Sequence, residues 1–198
     1  MLEAADLHCE RGGRELFAAL SFAVSNGESL RVAGANGSGK TSLLRILCGL
    51  AAPSRGEVRW DGSPIGSLKE DYARELVYLG HAPAVKGDLT AAENLSIACT
   101  LAGLPNADVR SALARFGLAP DVAVRKLSQG QRRRAALARL AVGGARLWIL
   151  DEPFSALDAE GAGLLNELFA QHLAQRGAIV FTTHQDPGIA ATRTVELG

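Results

Sequence analysis

Apolar and polar residues alternate in the first part of the chain. Leu20, Phe22 and Val24 are separated by smaller or polar residues, which is the period of a strand with one buried face. An Asn-Gly pair at 26–27 follows, and it favours a tight turn into a second apolar run at 29–33. The pattern therefore predicts an antiparallel hairpin and a sheet that is mixed.

A helix and two further strands are predicted next. The helix should follow the glycine-rich segment 34–41 and end near Gly49, because glycine readily adopts the left-handed backbone of a helix C-cap. Val58 and Trp60 then precede an Asp-Gly turn, which predicts a strand that ends there. The run at 75–79 is typical of a buried strand.

From about residue 89 to residue 140 the apolar residues recur at three- and four-residue spacing, the period of amphipathic helices. We predict three helices there, at 91–101, 107–116 and 129–140. The later pattern predicts a strand, a helix and a strand at 147–150, 160–175 and 179–183. The expected fold is therefore one α/β domain, with a mixed-sheet core lobe (1–88 and 141–198) and an inserted helical subdomain (about 89–140).

Length and charge limit the classes of function. The chain has 198 residues and a formal net charge of zero, which fits one domain with a subdomain. The densest cationic run is RRR at 132–134, which we interpret as a solvated helix face or a phosphate neighbour. We therefore expect no nucleic-acid partner. The three cysteines include no CxxC pair, so we interpret them as small buried hydrophobic residues.

Membrane-spanning and secreted classes are also disfavoured. Arg45, Arg139 and Arg146 interrupt the longest apolar stretches, so none is long enough to cross a bilayer. The first residues, MLEAADLHCE, lack the basic start and continuous apolar segment of a signal peptide. We expect a cytoplasmic chain that does not itself span a membrane.

The segment GANGSGKT at 34–41 matches the phosphate-binding loop pattern, which opens a helix with Gly-Lys-Thr. Its glycines would let backbone N–H groups converge on a polyphosphate at the positive end of the helix dipole. Lys40 would contact the β- and γ-phosphates, Ser42 the α-phosphate and the Thr41 hydroxyl a Mg²⁺ ion. An ordinary glycine-rich turn is the alternative. The segment predicts ATP and Mg²⁺ as ligands, and the nucleotide-binding residues would be Gly34, Ala35, Asn36, Gly37, Ser38, Gly39, Lys40, Thr41 and Ser42.

Two carboxylates follow the apolar strand predicted at 147–150. Asp151 and Glu152 would lie at its carboxyl end beside the phosphate-binding loop, with side chains that point in different directions. Asp151 would hold the Mg²⁺ shell through water, together with Thr41, while Glu152 would act as general base on the attacking water. The alternative interpretation is a solvated acidic pair at a strand end.

His184 directly follows the strand predicted at 179–183. It would contact the γ-phosphate there, so we predict Lys40, Glu152 and His184 as catalytic residues. A lone histidine is more often a surface or core residue, and we interpret His8 and His172 in that way.

Ser128 and Gln131 have the spacing of a capping box at the start of the helix predicted at 129–140, and Gly130 leaves room for a ligand. A plain helix cap would account for this spacing. The whole string LSQGQRRR at 127–134 resembles the signature sequence LSGGQ of ATP-binding cassette (ABC) ATPases.

Nearly the whole chain resembles an ABC-type nucleotide-binding domain, which has a P-loop NTPase fold. GANGSGKT, LSQGQ, LWILDEP, a D-loop-like SALD at 155–158 and the TTH that ends at His184 occur in the family's order. The resemblance implies a head-to-tail pair with a second ATPase subunit. Ser128, Gly130 and Gln131 of one subunit would then close over the ATP that the other subunit holds.

A closer resemblance is to the family of ATPase subunits of the haem exporter of bacterial cytochrome c maturation. It depends on CER at 9–11, YLGH at 78–81, LTAAENL at 89–95, LSQGQRRRAALARL, LWILDEPF and TTHQ. The resemblance implies a peripheral subunit at the cytoplasmic face of the inner membrane, with integral membrane permease subunits and a haem chaperone as partners. ATP hydrolysis would drive haem export or release of the haem-loaded chaperone.

Two positions depart from the usual ABC pattern. Arg11 stands where an aromatic residue usually stacks on adenine, and either its guanidinium plane or Phe17 would take that role. His81 replaces the glutamine that usually couples the metal site to the membrane partner, and it keeps the capacity to form hydrogen bonds. The surface at 83–94 is the expected contact with that partner.

Three other functions compete with this interpretation. The first is the ATPase subunit of another ABC exporter. The second is a soluble ABC ATPase that acts on DNA or ribosomes, a class that tends to have paired cassettes or long helical insertions. The third is a degenerate module that binds ATP without hydrolysing it, which is disfavoured by the presence of Lys40, Thr41, Asp151, Glu152 and His184.

Overall fold

A computed structural model describes residues 1–184 and 191–198. Its strands are β1 (Leu2–Arg11), β2 (Arg14–Val24), β3 (Ser29–Gly34), β4 (Arg55–Trp60), β5 (Ser63–Pro64), β6 (Leu76–Leu79), β7 (Leu147–Leu150), β8 (Ala178–Thr182) and β9 (Arg193–Leu197). Its α-helices are α1 (Lys40–Leu47), α2 (Ile65–Leu68), α3 (Glu70–Glu75), α4 (Ala91–Leu101), α5 (Val109–Arg115), α6 (Gln129–Leu137) and α7 (Ala159–Ala174). Short 3₁₀ helices lie at Val124–Lys126 and Ala138–Val142.

The strands form two separate sheets. One is antiparallel, with the strand order β2-β1-β4-β5, and the other is parallel, with the order β6-β7-β8-β3-β9. Strands of both kinds are therefore present, which confirms the α/β fold class, but neither sheet combines the two kinds as the predicted mixed sheet would. Each kind is confined to its own sheet.

The predicted hairpin between the strands at 20–24 and 29–33 is wrong. β2 pairs with β1, whereas β3 lies between β8 and β9. The predicted turn does form, with Glu28 N donating to Ser25 O at 3.1 Å, but Gly27 N then donates to Gly177 O at 2.8 Å, just before β8. The turn therefore passes the chain from one sheet to the other. Alternation identifies a strand with one covered face, but it does not identify the strand's partner.

The parallel sheet is buried on both faces, and β7 shows this clearly. Leu147 and Ile149 pack in a cluster with α1 and the antiparallel sheet, while Trp148 and Leu150 pack in a second cluster with the helices α4 to α7. All four side chains are buried. Burial of one large aliphatic side chain contributes about 1.5–3 kcal/mol, so β7 gives a rigid support to the residues that follow it.

The helices lie close to their predicted ranges. α4 has the predicted bounds and begins with a capping box between Thr90 and Glu93. α5 is shorter at both ends than predicted, and α6 ends at Leu137, where a 3₁₀ helix continues the chain. The division into a core lobe and a helical subdomain stays a prediction. In the two described ranges, no helix has both the length and the apolar character needed to cross a bilayer.

Candidate active site

The carboxyl ends of β3, β7 and β8 meet at one edge of the parallel sheet, where a cleft of about 580 Å³ opens. Arg11, Leu16 and His81 lie along it. The structure thus brings distant segments of the chain to a single site. The predicted site residues that line the cleft are Asn36, Gly37, Gly39, Lys40, Thr41, Ser42, Asp151, Glu152 and His184.

Close packing fixes the shape of the glycine-rich loop. Gly34 has a φ of +140°, and a Cβ there would lie 2.4 Å from the carbonyl oxygen of Leu197 and 2.7 Å from Ser38 Oγ. Gly39 has a φ of +101°, and its Cβ would lie 3.0 Å from the Cβ of Leu16. Side chains at these two positions would push the loop away from β9 and β2.

Lys40, the first residue of α1, folds back over this loop. Its Nζ donates to the carbonyl oxygens of Gly34 at 2.8 Å and Ala35 at 2.9 Å. α1 has no side-chain cap, since Gly39 precedes it. The first N–H groups of a helix lack acceptors within the helix. These N–H groups and the Lys40 ammonium group together supply positive charge and hydrogen-bond donors suited to a phosphate.

Asp151 is buried at the end of β7 and is held by two hydroxyl groups. Thr41 Oγ1 donates to its Oδ2 at 2.8 Å, and Thr182 Oγ1 donates to its Oδ1 at 2.8 Å. The Thr182 hydroxyl also accepts a hydrogen bond from Glu152 N at 2.9 Å. This network ties the start of α1 to the ends of β7 and β8.

The oxygen atoms of Thr41 and Asp151 fit a hard cation. Within residues 1–184 and 191–198, no group of three or more His, Cys, Asp or Glu side chains is arranged to hold a metal ion. Mg²⁺ often binds through one or two protein oxygens, with phosphate oxygens and water as the remaining ligands. The donor set therefore fits a Mg²⁺ that is bound together with a nucleotide.

Glu152 and His184 both line the cleft and are in contact with each other. His184 N donates to Glu152 Oε2 at 3.2 Å, and His184 Nε2 lies 3.4 Å from Glu152 Oε1. The imidazole is 55% exposed, whereas the carboxylate is 14% exposed. Among the described groups, none donates a hydrogen bond to the buried Oε1. The acceptor capacity of this oxygen is therefore unused in this structure, where the His184 imidazole lies beside it.

The backbone of Glu152 is strained. Its φ is +51°, a conformation that costs a non-glycine residue roughly 1–3 kcal/mol. The strain is offset by bonds at both ends of the residue, where the N–H donates to Thr182 Oγ1 and the carbonyl oxygen accepts from Arg133. The bond from the charged Arg133 guanidinium contributes about 1.5–3 kcal/mol and the neutral bond to Thr182 about 0.5–1.5 kcal/mol, so together they are strong enough to hold the conformation.

The interpretation of the arginine run as a solvated face is wrong for Arg133. Its side chain is buried, and its guanidinium donates to five backbone carbonyl oxygens. Nη2 bonds Asp151 and Glu152 at 2.9 and 2.6 Å, and Nε bonds Pro153 at 3.4 Å. Burial lowers the pKa of Arg133, whereas the nearby carboxylates Asp151 and Glu152 raise it.

Sequence reasoning missed Arg133, although a signal was present. Arg133 precedes the fully buried Leu137 by four residues, so both lie on the same face of α6. The adjacent cations obscured this period. Arg132 donates to carbonyl oxygens at 124 and 125, and Arg134 pairs with Asp158.

The signature segment lies outside the cleft. Ser128 Oγ accepts from Gln131 N at 3.2 Å, and Gln131 Oε1 accepts from Ser128 N at 3.0 Å, so the predicted capping box forms. A Cβ on Gly130 would lie 3.0 Å from the carbonyl oxygen of Ala156. The space at Gly130 therefore admits the segment 155–158 of the same chain. Both Ser128 and Gln131 are exposed.

Arg11 and Phe17 were the two residues predicted to stack on adenine, and the structure excludes one of them. Phe17 is buried, with its ring 3.1 Å from the position that a Gly39 Cβ would take, and it does not line the cleft. Its predicted role in stacking on a base is therefore wrong. Arg11 and Leu16 line this end instead. Sequence reasoning missed Leu16.

Comparison with known proteins agrees with this geometry. The family model for ABC transporters matches residues 17–155. The chain is 53% identical over 200 residues to the cytochrome c biogenesis ATP-binding export protein CcmA of Aromatoleum aromaticum, a match that covers 98% of this chain and 94% of that protein. The chain belongs to the CcmA family of ABC ATPases.

Further comparisons agree with membership in the CcmA family. The protein of the same name from Nitrosospira multiformis is 51% identical over 193 residues, with 96% of this chain and 94% of that protein covered. Among solved structures, the dimeric structure of MJ0796, a bacterial ABC transporter cassette, has a TM-score of 0.86 at 21% identity and covers 100% of this chain and 94% of that chain. That likeness confirms the ABC-type fold.

Membership in the CcmA family also confirms the reaction class. An ABC ATPase binds ATP and hydrolyses it to ADP and phosphate. The cleft offers what this chemistry requires, because donors for phosphate groups, oxygen ligands for a cation and a carboxylate for the attacking water lie along one edge of the sheet.

Proposed function

We propose that this chain is the ATP-hydrolysing subunit of a bacterial ABC exporter complex for cytochrome c biogenesis. The main support for ATP hydrolysis is the hydrogen bond between Thr41 and Asp151, which joins the phosphate-binding loop to the acidic end of β7. The names of the family's relatives support the process. In that process, hydrolysis energises haem export or the release of a haem-loaded chaperone.

Each residue of the cleft has its own role in binding or hydrolysing ATP. Lys40 leaves the loop carbonyls and binds the β- and γ-phosphates, where it is joined by the N–H groups at the start of α1. Thr41 and Asp151 hold Mg²⁺, which supplies charge neutralisation at the phosphates when bound. Ser42 binds the α-phosphate. The remaining loop residues that shape the phosphate site are Gly34, Ala35, Asn36, Gly37, Ser38 and Gly39.

Glu152 is the general base in this proposal. Its Oε1 accepts the proton of the attacking water, because Glu152 lines the cleft and no described group donates a hydrogen bond to this oxygen; water reaches it when the His184 imidazole, 3.4 Å away, moves to the γ-phosphate. His184 holds Oε2 through its backbone N–H and contacts the γ-phosphate with its exposed imidazole. The backbone N–H thereby orients the carboxylate through Oε2, and movement of the imidazole from Oε1 to the γ-phosphate opens Oε1 to the attacking water.

A second copy of the chain completes the nucleotide site. Ser128, Gly130 and Gln131 lie outside the cleft of their own subunit, at the exposed start of α6, so they are placed to cover the cleft of a partner. The helix N-terminus there presents N–H donors to a phosphate. The solved structure of MJ0796, a cassette with the same fold, is dimeric, which supports such pairing.

A membrane permease subunit docks beside the segment 83–94. A groove of about 280 Å³ lies there, and two of its apolar residues, Ile97 and Leu101, are 49% and 82% exposed. Arg139 lines the same groove, burial lowers its pKa, and within the described residues no carboxylate pairs with it. The docking segment should therefore present apolar side chains and an acidic group, at the cytoplasmic face of the inner membrane.

The experiment that tests this proposal is a pull-down from detergent-solubilised bacterial membranes. Tagged Glu152→Gln protein with ATP should capture integral membrane proteins, and the captured material should contain bound haem or a haem chaperone. Lys40→Ala protein is the matched control, since it should not hold ATP. Capture of an unrelated permease without haem would overturn the cytochrome c role, and capture of ribosomes or DNA would overturn transport.

A further inference from the structure

Arg133 makes many contacts near the active site, but the proposed mechanism gives it no role. It lies in the second turn of α6, two residues after Gln131, and its side chain is 3% exposed. A guanidinium has five N–H donors in a fixed planar fork. Here the five donors meet five backbone carbonyl oxygens, which lie at 80–81 and 151–153.

The neighbouring arginines do not share these partners. Arg132 bonds Val124 O at 3.2 Å and Arg125 O at 2.9 Å, both in the segment just before α6. Arg134 pairs with Asp158 at the start of α7. Within the arginine run, Arg133 is therefore the member whose hydrogen bonds reach the ends of β6 and β7.

One group of these bonds bears directly on Glu152. The left-handed backbone of Glu152 is held at its N–H by Thr182, and at its carbonyl by Arg133 Nη2 at 2.6 Å and by Ser155 N at 3.1 Å. Without the Arg133 contact, the remaining bond on that carbonyl is the neutral one from Ser155 N, which is weaker than a bond from a charged guanidinium, so the peptide group between Glu152 and Pro153 is held less firmly. The carboxylate of Glu152 would then sample positions away from the attacking water.

The other group of bonds fixes the end of β6. Arg133 Nη1 donates to Gly80 O at 3.0 Å and His81 O at 3.3 Å. His81 lines the cleft, and the chain continues from it into the segment 83–94 that we assign to the membrane partner. One side chain of α6 therefore holds both the general base and the start of the partner-contact segment.

We propose that Arg133 is a positioning residue for ATP hydrolysis, which places the Glu152 carboxylate only while α6 is seated against the ends of β6 and β7. A movement of α6 or of the segment 83–94 then changes the geometry of the base through Arg133. This inference rests on the proposed role of Glu152 as general base.

The test is a set of steady-state and single-turnover ATPase measurements on the full chain. Arg133→Lys keeps the charge but replaces the planar fork with one ammonium group. It should lower kcat at least about tenfold while KM for MgATP stays within about twofold, because Arg133 contacts no side chain that binds the phosphates or Mg²⁺ and reaches Asp151 only at its backbone carbonyl. Arg132→Lys is the control and should keep both constants within about twofold.

A double-mutant cycle with Glu152→Gln separates positioning from general damage to the fold. If Arg133 acts through Glu152, Arg133→Lys should cause no further loss of the residual single-turnover rate in the Glu152→Gln background. A full additional loss there, an unchanged kcat in Arg133→Lys, or a parallel rise in KM would overturn the proposal. Arg133→Gln, which keeps two N–H donors, serves in the same cycle if the lysine variant does not fold.

The failure of each proposal gives a different result. If Glu152→Gln alone turns over ATP at the normal rate, the general-base proposal fails, and the positioning proposal fails with it. If Glu152→Gln is inactive but Arg133→Lys is fully active, the base proposal stands and only the role of Arg133 is overturned.

Discussion

The Thr41 hydroxyl and the Asp151 carboxylate lie 2.8 Å apart and share a hydrogen bond, although 110 positions separate them in the chain. The contact arises because β3 and β7 both end at the same edge of the parallel sheet. Thr182 holds the second oxygen of the carboxylate from β8. Three parallel strands thus fix one pair of oxygen atoms at the bottom of the cleft.

The first prediction concerns this pair. Asp151→Asn keeps the size and burial of the side chain but removes a negative charge that would hold Mg²⁺. We expect kcat to fall by about 10²–10³, because metal stabilisation of transition-state charge is worth several kcal/mol. The Mg²⁺ concentration needed for half-maximal activity should rise as well. Titration of ATPase activity with MgCl₂ at fixed ATP measures both effects.

Thr41→Ser is the control for the metal site, because it keeps the hydroxyl that donates to Asp151. We expect the same Mg²⁺ dependence as in the original protein, to within about threefold. A normal Mg²⁺ titration in Asp151→Asn would contradict the role assigned to this carboxylate.

The second prediction concerns Glu152. Glu152→Gln should lower kcat by about 10²–10⁴, the usual contribution of a general base, while ATP affinity changes little. Because ATP is then bound without being hydrolysed, the variant should form a stable dimer with MgATP but not with MgADP. Light scattering after size-exclusion chromatography measures the dimer. Turnover at the normal rate would remove Glu152 as the base.

Much of the site could be predicted because its sequence patterns are local. The apolar run of β7 leads directly to Asp151, and the observed bounds Leu147–Leu150 match the prediction. The capping box between Ser128 and Gln131 depends on a spacing within one turn, so it too was predicted, and its hydrogen bonds form. Short-range chemistry of this kind is visible in the residues themselves.

Other features depend on long-range packing that a local pattern does not contain. β1 escaped prediction because bulges interrupt its period, with register shifts between Ala4 and Leu7 and a φ of +49° at Asp6. Because β1 was not recognised as a strand, β2 was predicted to pair with β3 instead of with β1. Arg133 was misread because its five acceptors lie in segments distant from α6 in the chain.

The third prediction is a pH dependence that comes from His172. Its ring stacks on Trp148 at 3.8 Å, and burial lowers its pKa below the ordinary value of about 6.5. The folded protein therefore binds this proton more weakly than the unfolded chain does. The stabilisation is fully present above pH of about 6.5 and is lost as the pH falls through the lower pKa of the folded state.

Urea unfolding between pH 7.5 and about pH 5 tests this linkage. His172→Gln, which does not titrate, should show a smaller loss of unfolding free energy on acidification than the original protein. Arg115 lines the same cavity and adds a positive charge that would not favour protonation. Equal slopes in the original protein and His172→Gln would exclude His172 as the source.

The last prediction concerns the groove beside 83–94. Leu101→Ser changes a side chain that is 82% exposed, so the free energy of unfolding should change by less than about 0.5 kcal/mol. The ATPase activity of the isolated subunit should stay within about twofold. Recovery of membrane partners in the pull-down should nevertheless fall at least about tenfold, because the loss of one well-packed apolar contact weakens binding by about 1.4 kcal/mol or more.

Leu50→Ser is the matched control for the groove. Leu50 is also a strongly exposed leucine, at 64%, but it does not line the groove. It should therefore leave both the ATPase activity and the recovery of membrane partners unchanged. If Leu50→Ser reduces recovery as much as Leu101→Ser does, surface hydrophobicity alone explains the capture. If neither variant reduces it, the partner binds another face of the protein.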